Sequence, residues 1–139
     1  MALEQQFSQL DAALAASAVA PLSAKRAMLA VLLADACADA LTPAGADVLA
    51  FRAELAAQSE ALALVFELAA MREGGPRLVT EAVEVPLAEY GRLSTEDFMV
   101  SLYNHHSVQR VRVALPDGGR RDVHEVLRAA VAFLKTLSR

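Results

Sequence analysis

Apolar residues recur at helical spacing along the first part of the chain. Leu3, Phe7, Leu10 and Leu14 follow one another at intervals of four, three and four, which predicts one stripe of a first helix. Pro21 ends that helix because it lacks a backbone N–H and clashes with the preceding turn. The narrow stripe is typical of a helix packed on its own domain, and it would also suit pairing with a second copy.

A second helix is predicted over residues 24–41, with Ser23 as its N-cap. Its apolar side chains cover well over half of the circumference. A helix that is apolar nearly all round is usually buried, so this segment is expected to be the central helix of the core.

Thr42 and Pro43 predict the next helix start, with a capping hydroxyl followed by a proline at the first helical position. The helical period then continues to Ala69. A polar gap near Ser59 allows either one long helix or two shorter ones. The serine favours two, because its side chain can cap the start of a new helix. Two glycines and a proline at 74–76 end the helical part.

The second part of the chain has the alternation typical of strands. Residues 78–85 predict a strand, and Glu81, which is in phase with valines, marks it as an edge strand. Residues 108–115 predict a second strand, in which Arg110 and Arg112 alternate with apolar residues. We expect these two guanidinium groups to face solvent.

The segment between the strands is ambiguous. Ser94 followed by carboxylates favours a helix start, yet 98–103 would also make a strand. A helix would suit parallel strands joined by a crossover, whereas a strand would give an antiparallel meander. After the turn at 116–119, Asp122 is expected to cap a final helix, with Glu125 completing a capping box.

These elements predict an α+β fold in one domain over residues 1–139. A bundle of three to four alanine-rich helices (1–73) packs with an α+β part (77–139) that holds a two- or three-stranded sheet and a C-terminal helix.

Cys37 is the single cysteine, so no internal disulfide can form, which suits a reducing compartment. The longest apolar window, 27–41, is too short and too charged to span a bilayer. The N-terminal stretch has none of the basic residues of a signal peptide. A cytoplasmic protein without membrane contact is therefore expected.

The net charge of −4 hides an asymmetry. Residues 1–104 hold fourteen acidic and six basic side chains, and residues 105–139 hold seven basic and three acidic ones. A basic tail can bind a polyanion, attract the acidic body of its own chain, or join copies head to tail.

Nucleic-acid binding is the second functional hypothesis. It would use the cations of the tail: Arg110, Arg112, Arg120, Arg121, Arg128, Lys135 and Arg139. Few aromatic residues accompany them, and the low pI of about 5.3 argues against this reading.

A metal-dependent enzyme is a weaker alternative. The three histidines, His105, His106 and His124, are zinc-type ligands, but adjacent histidines on an extended chain point to opposite faces. The chain has neither a Gly-x-Ser-x-Gly motif nor a glycine-rich phosphate loop, so no cofactor is expected.

The pattern best fits a protein-interaction or self-assembling module, with pairing of sheet edges in a homodimer as a plausible completion of the small sheet. The residues that caps, turns and core positions do not explain are the predicted contact site: Tyr103, Asn104, His105, His106, Arg110 and Arg112.

Overall fold

The computed structural model describes residues 2–85, 93–103 and 107–138. It confirms the α+β class, with four N-terminal helices, a three-stranded antiparallel sheet and a C-terminal helix. The elements are α1 (Leu3–Val19), α2 (Ala24–Ala40), α3 (Val48–Gln58), α4 (Glu60–Ala70), β1 (Arg77–Glu84), α5 (Thr95–Tyr103), β2 (Ser107–Ala114), β3 (Arg120–Asp122) and α6 (Val123–Leu137).

Helices α1 and α2 form an antiparallel pair around a tight connection. The α1 helix ends before Pro21, and the Ser23 side chain accepts a hydrogen bond of 3.1 Å from the N–H of Arg26 at the start of α2. On α1, Leu10 is fully buried, and Phe7 and Leu14 pack against the same core. The apolar stripe of α1 therefore packs within its own chain.

The α2 helix lies at the centre of the helical part, against α1, α4 and α6. The core face of α2 carries mostly small residues, which let neighbouring helices approach closely: Ala27, Ala30, Val31, Ala34, Cys37 and Ala38. Burial raises the pKa of the Cys37 thiol, and the negative charge of Asp11 adds to the shift. The predicted central position of this helix is confirmed, although Leu29 and Leu32 on its other side are exposed.

The predicted helix start at Thr42 and Pro43 was also wrong. The N–H of Ala46 bonds to the carbonyl of Pro43, and Gly45 has a φ of 81°, so this segment forms a turn. Helix α3 begins only at Val48. The predicted break near Ser59 is confirmed, since Ser59 ends α3 and its side chain accepts a hydrogen bond of 3.1 Å from the N–H of Leu62 in α4.

One arginine connects the three helices α2, α3 and α4. Arg52 of α3 forms ion pairs with Asp35 and with Asp39 (2.8 Å) of α2, and its guanidinium lies 4.0 Å from the ring centroid of Phe66 in α4. Burial alone would lower the pKa of Arg52, but the hydrogen bonds to the two carboxylates outweigh it and raise that pKa above its ordinary value.

The sheet has the order β1-β2-β3, and both pairings are antiparallel. The predicted helix between the first two strands is confirmed as α5, but the parallel crossover was wrong. Glu84, the last residue of β1, is opposite Ser107, the first of β2, so the connection that holds α5 begins and ends at the same end of the sheet.

One face of the sheet packs on the helices. Val111 and Val113 of β2 are buried in the same core as the apolar side of α6. The predicted Asp122 cap of α6 is confirmed, because its side chain accepts a hydrogen bond of 3.1 Å from the N–H of Glu125. In the described part of the chain, no helix is long and apolar enough to cross a membrane.

Candidate functional site

The outer face of the sheet, away from the helical core, carries the charged side chains of β2. Because Val111 and Val113 point into the core, the alternation of the strand puts Arg110 and Arg112 on the opposite face. Glu81 of β1 is opposite Arg110, and Asp122 of β3 is opposite Arg112. The outer face therefore places an acidic residue of β1 opposite one arginine of β2 and an acidic residue of β3 opposite the other.

Arg110 is held by a carboxylate from α5. Its guanidinium donates a hydrogen bond of 2.9 Å to Asp97, and the two side chains are only 23% and 17% exposed. Ser94 positions this carboxylate, since its hydroxyl accepts from the N–H of Asp97 at 3.1 Å and so fixes the first turn of α5. The expectation that Arg110 faces solvent was wrong, because α5 lies beside it.

Arg112 differs from the arginines on either side of it. Arg120, on the same face, donates a hydrogen bond of 3.1 Å to Glu81. Arg112 has no ion-pair partner in the described part of the chain, and its Nε atom is buried without a hydrogen-bond acceptor. The side chain is half-buried rather than facing solvent, which corrects the prediction for this residue as well.

A groove of about 610 Å³ runs along this face. Its charged lining consists of Glu84, Arg110, Arg112, Asp122, Glu125 and Arg128, and we call it the arginine groove. Arg128 reaches it from α6, where its Nε donates a hydrogen bond of 3.2 Å to the carbonyl of His124.

A second, larger groove of about 1190 Å³ adjoins the first and shares Arg110, Asp122 and Arg128 with it. It lies between α1 and the start of α6, and His124 forms part of its wall. The Nε2 atom of His124 is 2.9 Å from the hydroxyl of Ser17, which is fully buried in α1. This hydrogen bond ties the first helix of the chain to the last.

Sequence reasoning did not select Ser17, although a signal was present. Ser17 lies three residues after Leu14 and continues the apolar stripe of α1. A hydroxyl in phase with core residues is buried if the stripe is buried, and a buried hydroxyl needs a hydrogen-bond partner.

The predicted contact residues are only partly within the described structure. Arg110 and Arg112 share the outer face of the sheet, and Tyr103 is the last residue of α5. Asn104, His105 and His106 lie outside the described residues. For His124, the one histidine that is described, the structure gives a hydroxyl neighbour. Across residues 2–85, 93–103 and 107–138, no group of three histidine, cysteine or acidic side chains is arranged to hold a metal ion.

The basic tail is bound to the acidic body by ion pairs. Arg110 pairs with Asp97, Arg120 with Glu81, Arg121 with Glu60 at 2.7 Å, and Lys135 with Asp11 at 2.8 Å. Of the three roles considered for the basic tail, attraction to the acidic body of its own chain is thus seen in the structure.

No family model, curated protein or solved structure matches this chain.

Proposed function

We propose that this chain is a self-associating module that forms a homodimer by pairing the β1 strands of two copies. The observation that carries the proposal is the position of β1 at the edge of the sheet. It is eight residues long, and no strand in the described part of the chain pairs with its outer side. An edge of this length offers a row of backbone donors and acceptors to another strand.

The backbone groups that are directed outward can be assigned. The N–H groups of Val111 and Leu115 bond to Pro21 and Gly119, away from β1. Since alternate residues of a strand direct their N–H groups to opposite sides, Arg110 and Arg112 provide the bonds to β1. They are opposite Glu81 and Val79, so Leu78, Thr80 and Ala82 direct their N–H and C=O groups outward.

Charge complementarity favours one antiparallel register between two copies. If Val79 of one copy is opposite Val79 of the other, Arg77 is opposite Glu81 at both ends of the pairing, and each pair brings opposite charges together. A register centred on Glu81 would instead place two carboxylates opposite each other. The dimer would contain a continuous six-stranded sheet, within the size range that is common for sheets.

The test is the mass of the protein in solution. Light scattering at about 50 µM, well above the dissociation constant expected of a micromolar dimer, should give twice the chain mass of 14.8 kDa. Thr80→Pro should give the single-chain mass, because proline removes an outward N–H but can be accommodated on an edge strand. Thr80→Val is the matched control; it keeps the N–H and the β-branched side chain and should remain dimeric.

The register has its own test. Arg77→Glu places like charges opposite each other at both ends and should weaken the dimer at least about tenfold, whereas Arg72→Glu, outside β1, should not. Circular dichroism of each variant checks that the fold is intact. A single-chain mass for the unmodified protein, or a dimer that survives Thr80→Pro, contradicts the proposal.

Cytoplasmic location belongs to the same proposal and is supported by the buried lone thiol of Cys37. The alternative of nucleic-acid binding is less favoured because four of the tail cations, Arg110, Arg120, Arg121 and Lys135, already face carboxylates of this chain.

A further inference from the structure

We infer that the arginine groove binds a small organic oxyanion, and that Arg112 and Arg128 both contact its anionic group. The anionic group is a phosphate monoester or a carboxylate. This site lies on the outer face of the sheet and is independent of pairing at the β1 edge.

The first step of the argument is the unmet hydrogen-bonding capacity of Arg112. A guanidinium carries five N–H donors in a fixed plane and keeps its charge at every physiological pH. The Nε of Arg112 is buried without an acceptor, which is costly for a charged donor. An oxyanion in the groove would instead bond the two terminal nitrogens and balance the charge of the guanidinium, since arginine is suited to such two-point contacts.

The second step is that the described part of the chain does not supply the anion. Asp122 is the residue opposite Arg112, but its carboxylate accepts the hydrogen bond that caps α6, and it forms no ion pair with Arg112. Glu84 and Glu125 line the rim of the same groove with exposed side chains, and neither is paired with Arg112. By contrast, Arg110 and Arg120 on the same face both have carboxylate partners. Among the described side chains of this face, Arg112 is thus the unpaired cation between two ion pairs.

The third step is the second cation and the size of the space. Arg128 uses its Nε for the carbonyl of His124 and has no carboxylate partner in the described part of the chain, so its terminal nitrogens are available. A volume of about 610 Å³ is within the range of small-molecule sites. The other side of the groove is apolar and includes Val83 and Val108. That combination suits a ligand with one anionic group and a small apolar body.

The experiment is calorimetric titration of the full chain at constant ionic strength with three probes: inorganic phosphate, phenyl phosphate and benzoate. We expect saturable binding of one molecule per chain for at least one of the two organic probes. Phenyl phosphate binding without benzoate binding identifies the phosphate class, and the reverse identifies the carboxylate class. Tighter binding of the organic probe than of inorganic phosphate is expected from the apolar wall.

The variants separate this site from general charge effects. Arg112→Gln should lower the affinity at least about tenfold, and Arg112→Lys should restore only part of it because lysine cannot make a two-point contact. Arg72→Gln removes the same charge from an exposed position outside the groove and should leave the affinity unchanged. Circular dichroism and the unfolding midpoint verify that each variant is folded. The inference is overturned if no probe saturates up to about 10 mM, or if binding persists in Arg112→Gln.

Discussion

At the scale of single residues, one buried hydroxyl connects the two ends of the fold. Ser17 lies on the apolar stripe of α1 and is fully buried, and its hydroxyl is 2.9 Å from Nε2 of His124 at the start of α6. A buried polar atom that loses its partner is still removed from water. Losing this hydrogen bond therefore costs more free energy than forming it contributes to stability.

Ser17→Ala should therefore lower the free energy of unfolding by about 1–2 kcal/mol, because it leaves the His124 nitrogen without this partner. Urea unfolding followed by circular dichroism measures the change. Ser8→Ala, at an exposed position of the same helix, is the control and should change stability by less than about 0.5 kcal/mol. Equal effects of the two substitutions would show that the hydrogen bond contributes nothing.

At the scale of elements, α3 depends on a polar contact more than its neighbours do. Its one buried side chain is Leu55, and its N-terminal Val48 and Leu49 are exposed. Arg52 holds it to two carboxylates of α2 and to the Phe66 ring of α4. Several hydrogen-bonded contacts to one half-buried guanidinium contribute more than an exposed ion pair does.

Arg52→Met keeps much of the apolar length of the side chain and removes its charge. We expect it to lower the free energy of unfolding by about 1–2 kcal/mol and to speed amide hydrogen exchange in α3 more than in α6. Lys25→Met, on the exposed side of α2, is the matched control. Uniform acceleration of exchange in all helices would contradict a local role for Arg52.

Elements were predictable from sequence where their signals are local. Ser23, Ser59 and Asp122 each accept the capping hydrogen bond that their positions predicted. Thr42 misled because the same residue types also begin turns, and Gly45, three residues on, takes a left-handed conformation that ends any helix there.

Long-range partners could not be predicted. The orientation of β1 against β2 depends on where a long connection returns, and the pairing of Ser17 with His124 joins residues 107 positions apart. Only part of the candidate site could be predicted from the sequence. Alternation placed Arg110 and Arg112 on one face, whereas Arg128 and the carboxylate partner of Arg110 come from other elements.

At the scale of the whole molecule, ion pairs between body and tail reinforce the contact of α1 with α6. Lys135 of α6 donates to Asp11 of α1 at 2.8 Å, and both side chains are about half exposed. Solvent and salt screen such a pair, so its contribution is small and depends on ionic strength.

Lys135→Glu should lower the free energy of unfolding by about 0.5–1 kcal/mol at low salt, because it places two carboxylates together, and by less in 1 M salt. The double variant Asp11→Lys with Lys135→Glu reverses the pair and should recover most of the loss. Lys25→Glu, which has no ion-pair partner in the described structure, serves as the charge control. A loss that salt does not reduce would point to packing instead of charge.

The position of α6 in the core has a consequence for synthesis of the protein. Its apolar side, with Val126, Leu127 and Leu134, covers helices α2 and α4, which are made tens of residues earlier. Until α6 emerges, the growing chain exposes the surfaces that this helix later buries, and such nascent segments are prone to aggregate. The first helices can pack on one another as they are made, but the surfaces of α2 and α4 that α6 covers stay exposed until the last helix has been synthesised.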